Sequence, residues 1–444
     1  MLRSLRAPLA VLATVLGLAA AHAQPSPAPG TDPQYDLLFQ RVLRDPANLD
    51  LNFEFAKSAS ARGDLEAAIG SLERMAFYNP NLPRVRLELG VLYFRLGSYE
   101  MARSYLASVL DAPDVPPEVR DRVAPFLAEI DRRLNTSQWS FYGQAGLRHQ
   151  TNATAGPSSP YVRAAGFDAI LDRQFVKRPD WNAFALGTVR HVHDFENQRG
   201  DVWDTTVAAY YANQFRFSRF NLGLIEVQTG PRLALAPDWW PGLSVRPYVV
   251  GTAVSLGDEP YLGSKGAGIS IAVPLDGIGY VEPFTEVRNR HFGNTPEFVN
   301  AAEQTGRLWL SGAAATGDIV PGALRWQARL TYAIASTRRL YTAYEQVLFE
   351  FGLPIEFAGP WGDRRWLVTP IAAVGRSDYA GPNAAVDPFM RRRETEYRGG
   401  VQVEVPVTAA LGLGVQVQYA VIDSNIRNYR TSNLSVLFGP TLRY

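Results

Sequence analysis

The sequence predicts an α + β multidomain chain: an N-terminal all-α helical-repeat unit followed by a C-terminal transmembrane antiparallel β-barrel. Three observations predict it. Residues 46–113 repeat with a period of about 34 residues, which marks stacked helix pairs. From Trp139 onward the apolar spacing switches from helical to alternate-residue, the mark of strands with two unlike faces. Later strands alternate this way for about ten residues at a time, as membrane barrels do.

Composition bounds the rest. The 444 residues carry 44 basic and 43 acidic side chains, a net charge of +1, without the basic excess of a general nucleic-acid binder. There is no cysteine, which removes disulfides, thiolate metal sites and cysteine nucleophiles. Arg3 and Arg6, the apolar run Leu9 to Ala20, and Ala21-His22-Ala23 ahead of Gln24 read as a secretory signal peptide over 1–23. The run is too short for a spanning helix, which needs about 20 residues. Residues 24–34, rich in Pro, Ser and Ala, read as a flexible N-terminus.

The repeat unit is expected over 35–135. Pro46 matches Pro80, Phe53 Leu87, Ala56 Gly90, Gly63 Gly97, Leu65 Tyr99, Ala68 Ala102 and Leu72 Leu106. Small residues at 56, 68, 90 and 102 let helices approach, the glycines at 63 and 97 end the first helix of each pair, and the prolines break the chain between pairs. This pattern resembles the tetratricopeptide family over two repeats, with a partial one at Tyr35–Arg44 and a capping helix at Glu118–Leu134. Such repeats bind peptides along their first helices, so the resemblance makes Phe53, Lys57, Arg84, Leu87, Phe94 and Arg95 candidate client-binding residues. Plain packing is the competing reading for Phe53, Leu87 and Phe94.

The barrel is expected over 136–444. Leu324, Trp326, Ala328, Leu330 and Tyr332 alternate with Arg325, Gln327, Arg329 and Thr331, and Leu411 to Tyr419 alternates in the same way. A soluble sandwich also alternates. Aromatic residues near strand ends (Trp139, Tyr142, Trp181, Trp203, Tyr332, Tyr379, Tyr397) suit interfacial girdles instead. Gly439, Leu442 and the aromatic Tyr444 resemble the C-terminal signal read by the barrel-assembly machinery, although Leu437 stands where a polar residue is usual. Fifteen candidate strands begin near 139, 163, 182, 202, 219, 243, 263, 279, 304, 324, 342, 365, 394, 410 and 431. Bacterial barrels have even counts, and 163–176 alternates poorly. The expectation is therefore 14 strands, with 16 as the alternative.

Sites of chemistry are sparse. His191 and His193 share a strand face and could hold a metal, but only five histidines exist, and lumen-facing polar residues explain the pair more simply. Glu282 and Glu286 share a face with Arg288 and Arg290, an arrangement read as lumen ion pairs rather than acid–base catalysis. Arg325, Arg329, Arg398, Glu282, Glu350 and Glu404 are read as lumen-facing. Arg391-Arg392-Arg393 is placed in a loop, facing lipopolysaccharide phosphates or plain solvent. No phosphate loop, nucleophile elbow or metalloprotease helix appears, so no enzyme activity, cofactor or metal is expected.

The order of parts resembles the surface lipoprotein assembly modifier family, which joins a periplasmic repeat unit to a 14-stranded barrel. Residues 79–103 resemble that family's last repeat, and 143–153, with His149, Thr151 and Asn152, its first strand, where a second asparagine is missing. The resemblance implies a monomer in the bacterial outer membrane, in contact with its lipid and lipopolysaccharide, that captures an exported protein or lipoprotein client in the periplasm. A polysaccharide exporter and a porin-like channel are the alternatives.

Overall fold

A computed structural model describes residues 33–80, 82–111, 115–275, 277–360 and 364–444. The signal peptide and most of the stretch 24–34 lie outside the described residues. The chain divides into two compact units, with the break between Gln138 and Trp139.

The described residues of the first unit form six helices: α1 Pro33–Arg44, α2 Leu49–Arg62, α3 Leu65–Tyr78, α4 Pro83–Leu96, α5 Tyr99–Leu110 and α6 Pro117–Leu134. The α1 helix opens two residues before the expected start at Tyr35. Local chemistry sets the ends. Asn48 and Asp64 accept hydrogen bonds from the Leu51 and Ala67 amides as N-caps. Gly63 and Gly97 both hold φ 83°, the left-handed conformation that closes α2 and α4 and that glycine adopts without strain. Pro83 and Pro117 occupy first turns, where a missing N–H costs nothing. The core runs through Phe55, Ala56, Ala59, Ala68, Leu72 and Leu89, and a second cluster joins Ala102, Leu106, Val123 and Ile130. The small residues at matched repeat positions lie where helices touch. A Cβ on Gly90 would sit 2.5 Å from Leu106 Cγ.

The second unit is a closed antiparallel barrel of 14 strands. Its strands are β1 Ser137–Gln150, β4 Asp180–Asp194, β5 Val202–Gln214, β6 Leu222–Ala234, β7 Ser244–Leu256, β8 Glu259–Leu275, β9 Gly279–Phe292, β10 Gly306–Val320, β11 Leu324–Thr337, β12 Tyr344–Gly352 with β13 Ile355–Ala358, β14 Arg365–Asn383, β15 Asp387–Pro406, β16 Leu411–Ser424 and β17 Thr431–Arg443. Leu353 and Pro354 interrupt one strand and divide it into β12 and β13, both of which pair with β11 and β14. The ring closes where β1 meets β17, and the Phe141 and Tyr444 amides and carbonyls bond each other at 2.9 Å. No described helix is long and apolar enough to cross a membrane; the barrel leaves no open edge.

The poorly alternating candidate 163–176 is not a barrel strand. It forms a small hairpin, β2 Tyr161–Ala164 and β3 Phe167–Ile170, and a short turn of 3₁₀ helix inside the loop 151–179. Its turn places Ala165 and Gly166 at φ 50° and 88°, the paired positive angles of a tight two-residue hairpin. Arg391-Arg392-Arg393 is strand, not loop. The β14 and β15 strands pair as far as Asn383 and Asp387, so β15 begins well before the expected 394.

Candidate functional site

In the helical unit, α2 and α4 bring part of the expected client face together. The Arg84 guanidinium lies 5.0 Å from the Phe53 ring centre, and Arg95 Nη1 donates to Ser60 Oγ at 2.8 Å. Lys57 is exposed, one helical turn from Phe53. Leu87 and Phe94 turn the other way, against the α5–α6 cluster. Phe94 meets Phe126 edge-on at 5.3 Å, with Arg133 5.7 Å from its ring. Asn52, which the repeat pattern did not single out, is fully buried and donates to the Pro46 and Asn48 carbonyls while accepting from Arg74. The Tyr35 hydroxyl is pushed up to about 12 by burial and by its 2.7 Å hydrogen bond to Asp64. Burial and a bond to Glu73 also push up Tyr93.

In the barrel, residues opposite each other on antiparallel neighbours share a face. The row Glu282, Ala314, Arg329, Glu350, Ala373, Arg398, Ala420, Asn433 is continuous through direct pairs from β9 to β17. This row and its alternates point inward. Trp309, Leu330, Val374, Val417 and Phe438, exposed and apolar, point outward, as a lipid-facing wall requires. Arg325, Arg329, Arg398, Glu282, Glu350 and Glu404 all fall on the inward face, as their alternation predicts.

Alternation also corrects three readings. His191 and His193 sit on the outward face, opposite in parity to Arg190. The His191 ring lies 4.2 Å from Trp139, and His193 pairs in register with Trp203. They belong to the aromatic surface, not the lumen. Tyr142 and Tyr379 face inward instead of joining a girdle: Tyr142 pairs with Arg443, and Tyr379 is covered by Arg392. Tyr332 and Tyr397 point outward at mid-strand, because β11 runs on to Thr337 and β15 begins as early as Asp387. Among the described residues, no group of three or more His, Asp or Glu could hold a metal ion.

The inward face is unequal around the ring. Across β4–β9 it is filled by an interlocked ion-pair lattice. Asp204, 2% exposed, accepts from Arg190 at 2.8 Å and faces Arg246 and Arg232 at 3.8 and 3.9 Å. Arg232 continues to Glu282 at 3.4 Å, which Ser270 also bonds. Arg288 joins Glu226 at 2.6 Å and pairs with Glu286, which accepts from Tyr248 at 3.0 Å. Glycines on β8 make room: a Cβ on Gly268 would lie 2.5 Å from the Tyr248 ring. The buried charges Asp204, Arg246 and Glu286 each face an opposite charge, which a low-dielectric interior demands.

Across β9–β16 the wall is hollow. A cavity of about 420 Å³ is bounded by Tyr280, Gln327, Arg329, Glu350, Arg398 and Gln418, over the small side chains of Ala314 and Ala373. Above it a second cavity of about 340 Å³ lies between Glu394, Glu396 and Asn433 on the wall and Asn152, Ala155 and Pro157 of the loop 151–179.

That loop is clasped across the ring closure. The Asn152 side chain bonds Thr431 Oγ1 at 2.6 Å and both the Gly156 amide and carbonyl. Arg163 donates to Asp387 Oδ2 at 2.8 and 3.1 Å, and its peptide is bonded on both sides by Asn428. The Ala165 and Gly166 amides reach the Ala385 and Val386 carbonyls. Asn152 lay in the motif-bearing stretch; Arg163 and Asp387 had no local signal. At the other end of the closure, Gly439 approaches β1 so closely that a Cβ there would lie 1.9 Å from the Ala145 carbonyl oxygen. The Leu442 side chain points outward, and Tyr444 is 85% exposed.

No family model matches this sequence, and no curated protein matches it. Solved structures do. The Yersinia enterocolitica type III secretion chaperone SycD, in complex with a peptide of the translocator YopD, is 18% identical over 23% of this chain and 79% of its own, with a TM-score of 0.21. A bacterial polysaccharide outer membrane secretin is 9% identical over 70% of this chain and 99% of its own, with a TM-score of 0.34. The outer membrane channel DcaP of Acinetobacter baumannii is 10% identical over 69% and 97%, with a TM-score of 0.36. At these scores the likenesses carry no argument about activity.

Proposed function

We propose that this chain is an outer-membrane delivery factor that captures an exported client protein with its helical unit and passes it to or across the membrane through its barrel. In this reading residues 1–23 direct export, and residues 35–135 work in the periplasm. The barrel end that holds Ser137 and Tyr444 faces the periplasm. Gly439, Leu442 and Tyr444 serve recognition by the barrel-assembly machinery. The protein acts as a monomer without a cofactor.

One observation carries the reading: a repeat stack with Phe53, Lys57, Arg84 and Arg95 on its first-helix face shares a chain with a closed 14-strand barrel. A channel for small solutes alone gives the repeat stack no role. The resemblance of residues 79–103 and 143–153 to the surface lipoprotein assembly modifier family supports protein cargo.

The test is a photo-crosslinking residue at position 57 of the full-length protein in living cells, combined with a surface proteome of a deletion strain. The expected result is one surface protein that crosslinks at that position and leaves the surface on deletion. Loss of a surface polysaccharide with no change in surface proteins would replace this reading with that of a polysaccharide exporter.

A further inference from the structure

The inward face offers two unlike walls, and only one has room for cargo. Resting on the reading of the barrel as a passage, we infer that a client crosses as an extended polypeptide segment along the hollow β9–β16 wall, while the β4–β9 wall stays filled.

Packing separates the walls first. On β4–β9, long side chains lie flat over small ones: Tyr248 over Gly268, and Arg288 against Gly266, where a Cβ would meet its Cγ at 3.0 Å. Those side chains are bonded to each other through Asp204, Glu226, Glu282 and Glu286. Moving any one strands a buried charge. On β9–β16, Ala314 and Ala373 border open space instead, and the cavities of about 420 and 340 Å³ follow one another along β15 and β16. Arg398 and Gln418 line the lower one and Glu396 and Ala420 the upper, and Arg398 and Glu396 form an ion pair at 3.0 Å between them. They form one track.

Chemistry selects the cargo. Arg398 is neutralised by Glu350 and Glu396, and Arg392 by Glu394 at 2.6 Å. A polyanion would meet three carboxylates and a polycation the guanidinium groups, so the track favours a polar chain of low charge density. Gln327, Gln418, Asn433 and Asn152 line it with amides. The Asn152 amide is spent on Thr431 and Gly156, but those of Gln327 and Gln418 offer a donor and an acceptor, the complement of a peptide unit. A glycan would use ring faces for its C–H surfaces. Here Tyr379 and Tyr429 are covered by Arg392 at 4.2 and 3.9 Å and Phe284 by Arg329 at 4.7 Å; Phe351, next to the inward Glu350, turns outward, and Tyr280 is left. Polypeptide is the better fit.

The chain has no cysteine, so single cysteines report cleanly. Ala373→Cys and Ala420→Cys mark the track. Ala208→Cys, which pairs with Glu226 under the lattice, marks the filled wall. Each purified full-length variant is treated with a small charged methanethiosulfonate. It is then treated with a short neutral Gly/Ser/Thr peptide, or a maltose oligosaccharide of matched length, each bearing an activated disulfide. Rates are normalised to the small reagent, which also shows that each variant is folded and reachable. The expected result is peptide coupling about tenfold faster on the track than at position 208, equivalent to about 1.4 kcal/mol in access. Equal normalised rates on both walls, or no peptide coupling at any position, would overturn the track. Oligosaccharide coupling as fast as peptide coupling would overturn the polypeptide assignment in favour of glycan passage. Failure of client capture in cells leaves these ratios unchanged, so the two readings fail separately.

Discussion

Two glycines inside helices of the repeat unit should respond in opposite ways to the same substitution. Gly70 lies within α3, where an added Cβ meets nothing within 4 Å. Gly70→Ala therefore yields only the intrinsic helix gain, about 1 kcal/mol of stabilisation. Gly90 lies within α4, where the same Cβ would stand 2.5 Å from Leu106 Cγ, 2.6 Å from its Cδ2 and 3.3 Å from its backbone nitrogen. Leu106 is fully buried, so its side chain must give by roughly 1 Å in a packed core, an overpacking cost of about 1–3 kcal/mol. Set against the helix gain, Gly90→Ala is destabilising by about 0–2 kcal/mol. In a helical unit of this size 1 kcal/mol moves the urea midpoint by roughly 0.3–1 M. The assay is urea unfolding of the full-length protein in detergent, followed at 222 nm, where the helices dominate the signal. Leu106→Ala alone should cost about 3–5 kcal/mol. Combining it with Gly90→Ala should cost less than the sum by about 1 kcal/mol, because the new methyl refills part of the cavity. If Gly90→Ala stabilises as much as Gly70→Ala, α4 and α5 do not meet at this point and the repeat packing described above is wrong.

Three further outcomes follow. Tyr35 and Tyr93 hold their protons more tightly in the folded unit, so their contribution is complete below the ordinary tyrosine value of 10 and is lost as pH rises. For Tyr35 the loss falls between pH 10 and about 12; urea midpoints at pH 9 and 11.5 should differ, and Tyr35→Phe should reduce the difference. Arg163→Ala leaves the nearly buried Asp387 carboxylate without its guanidinium partner. Loss of this charge-assisted bond loosens the loop, so trypsin should cut at Arg173 or Lys177 about tenfold faster, and unchanged cleavage would show that the clasp does not hold the loop. Asp204→Asn leaves three arginines facing a neutral group. Breaking a buried pair costs about 3–5 kcal/mol, and loss of the folded, faster-migrating band on an unheated gel at a lower temperature than for the parent would register it.

The sequence by itself determined the order and kind of elements. A period of about 34 residues cannot persist without stacked helix pairs, and Gly63 and Gly97 end α2 and α4 because their left-handed backbone suits glycine. Alternation at Leu324–Tyr332 and Leu411–Tyr419 assigned two faces because a strand turns its side chains over at every residue. An even count then removed 163–176 from the barrel. Tertiary structure alone decided which face each ambiguous residue took. His191 and His193 share a parity, but alternation within one strand does not say which parity meets the lumen; the pairing of Arg190 with Asp204 on the neighbouring strand does. The extension of β15 through Arg391-Arg392-Arg393 depends on pairing with β14, a partner the local sequence cannot display. The clasp joins Asn152 and Arg163 to residues more than 200 positions away. The contrast between filled and hollow walls depends on which long side chain from one strand lies over which glycine or alanine of the next. Register fixes that, and register is a property of the closed ring rather than of any one segment.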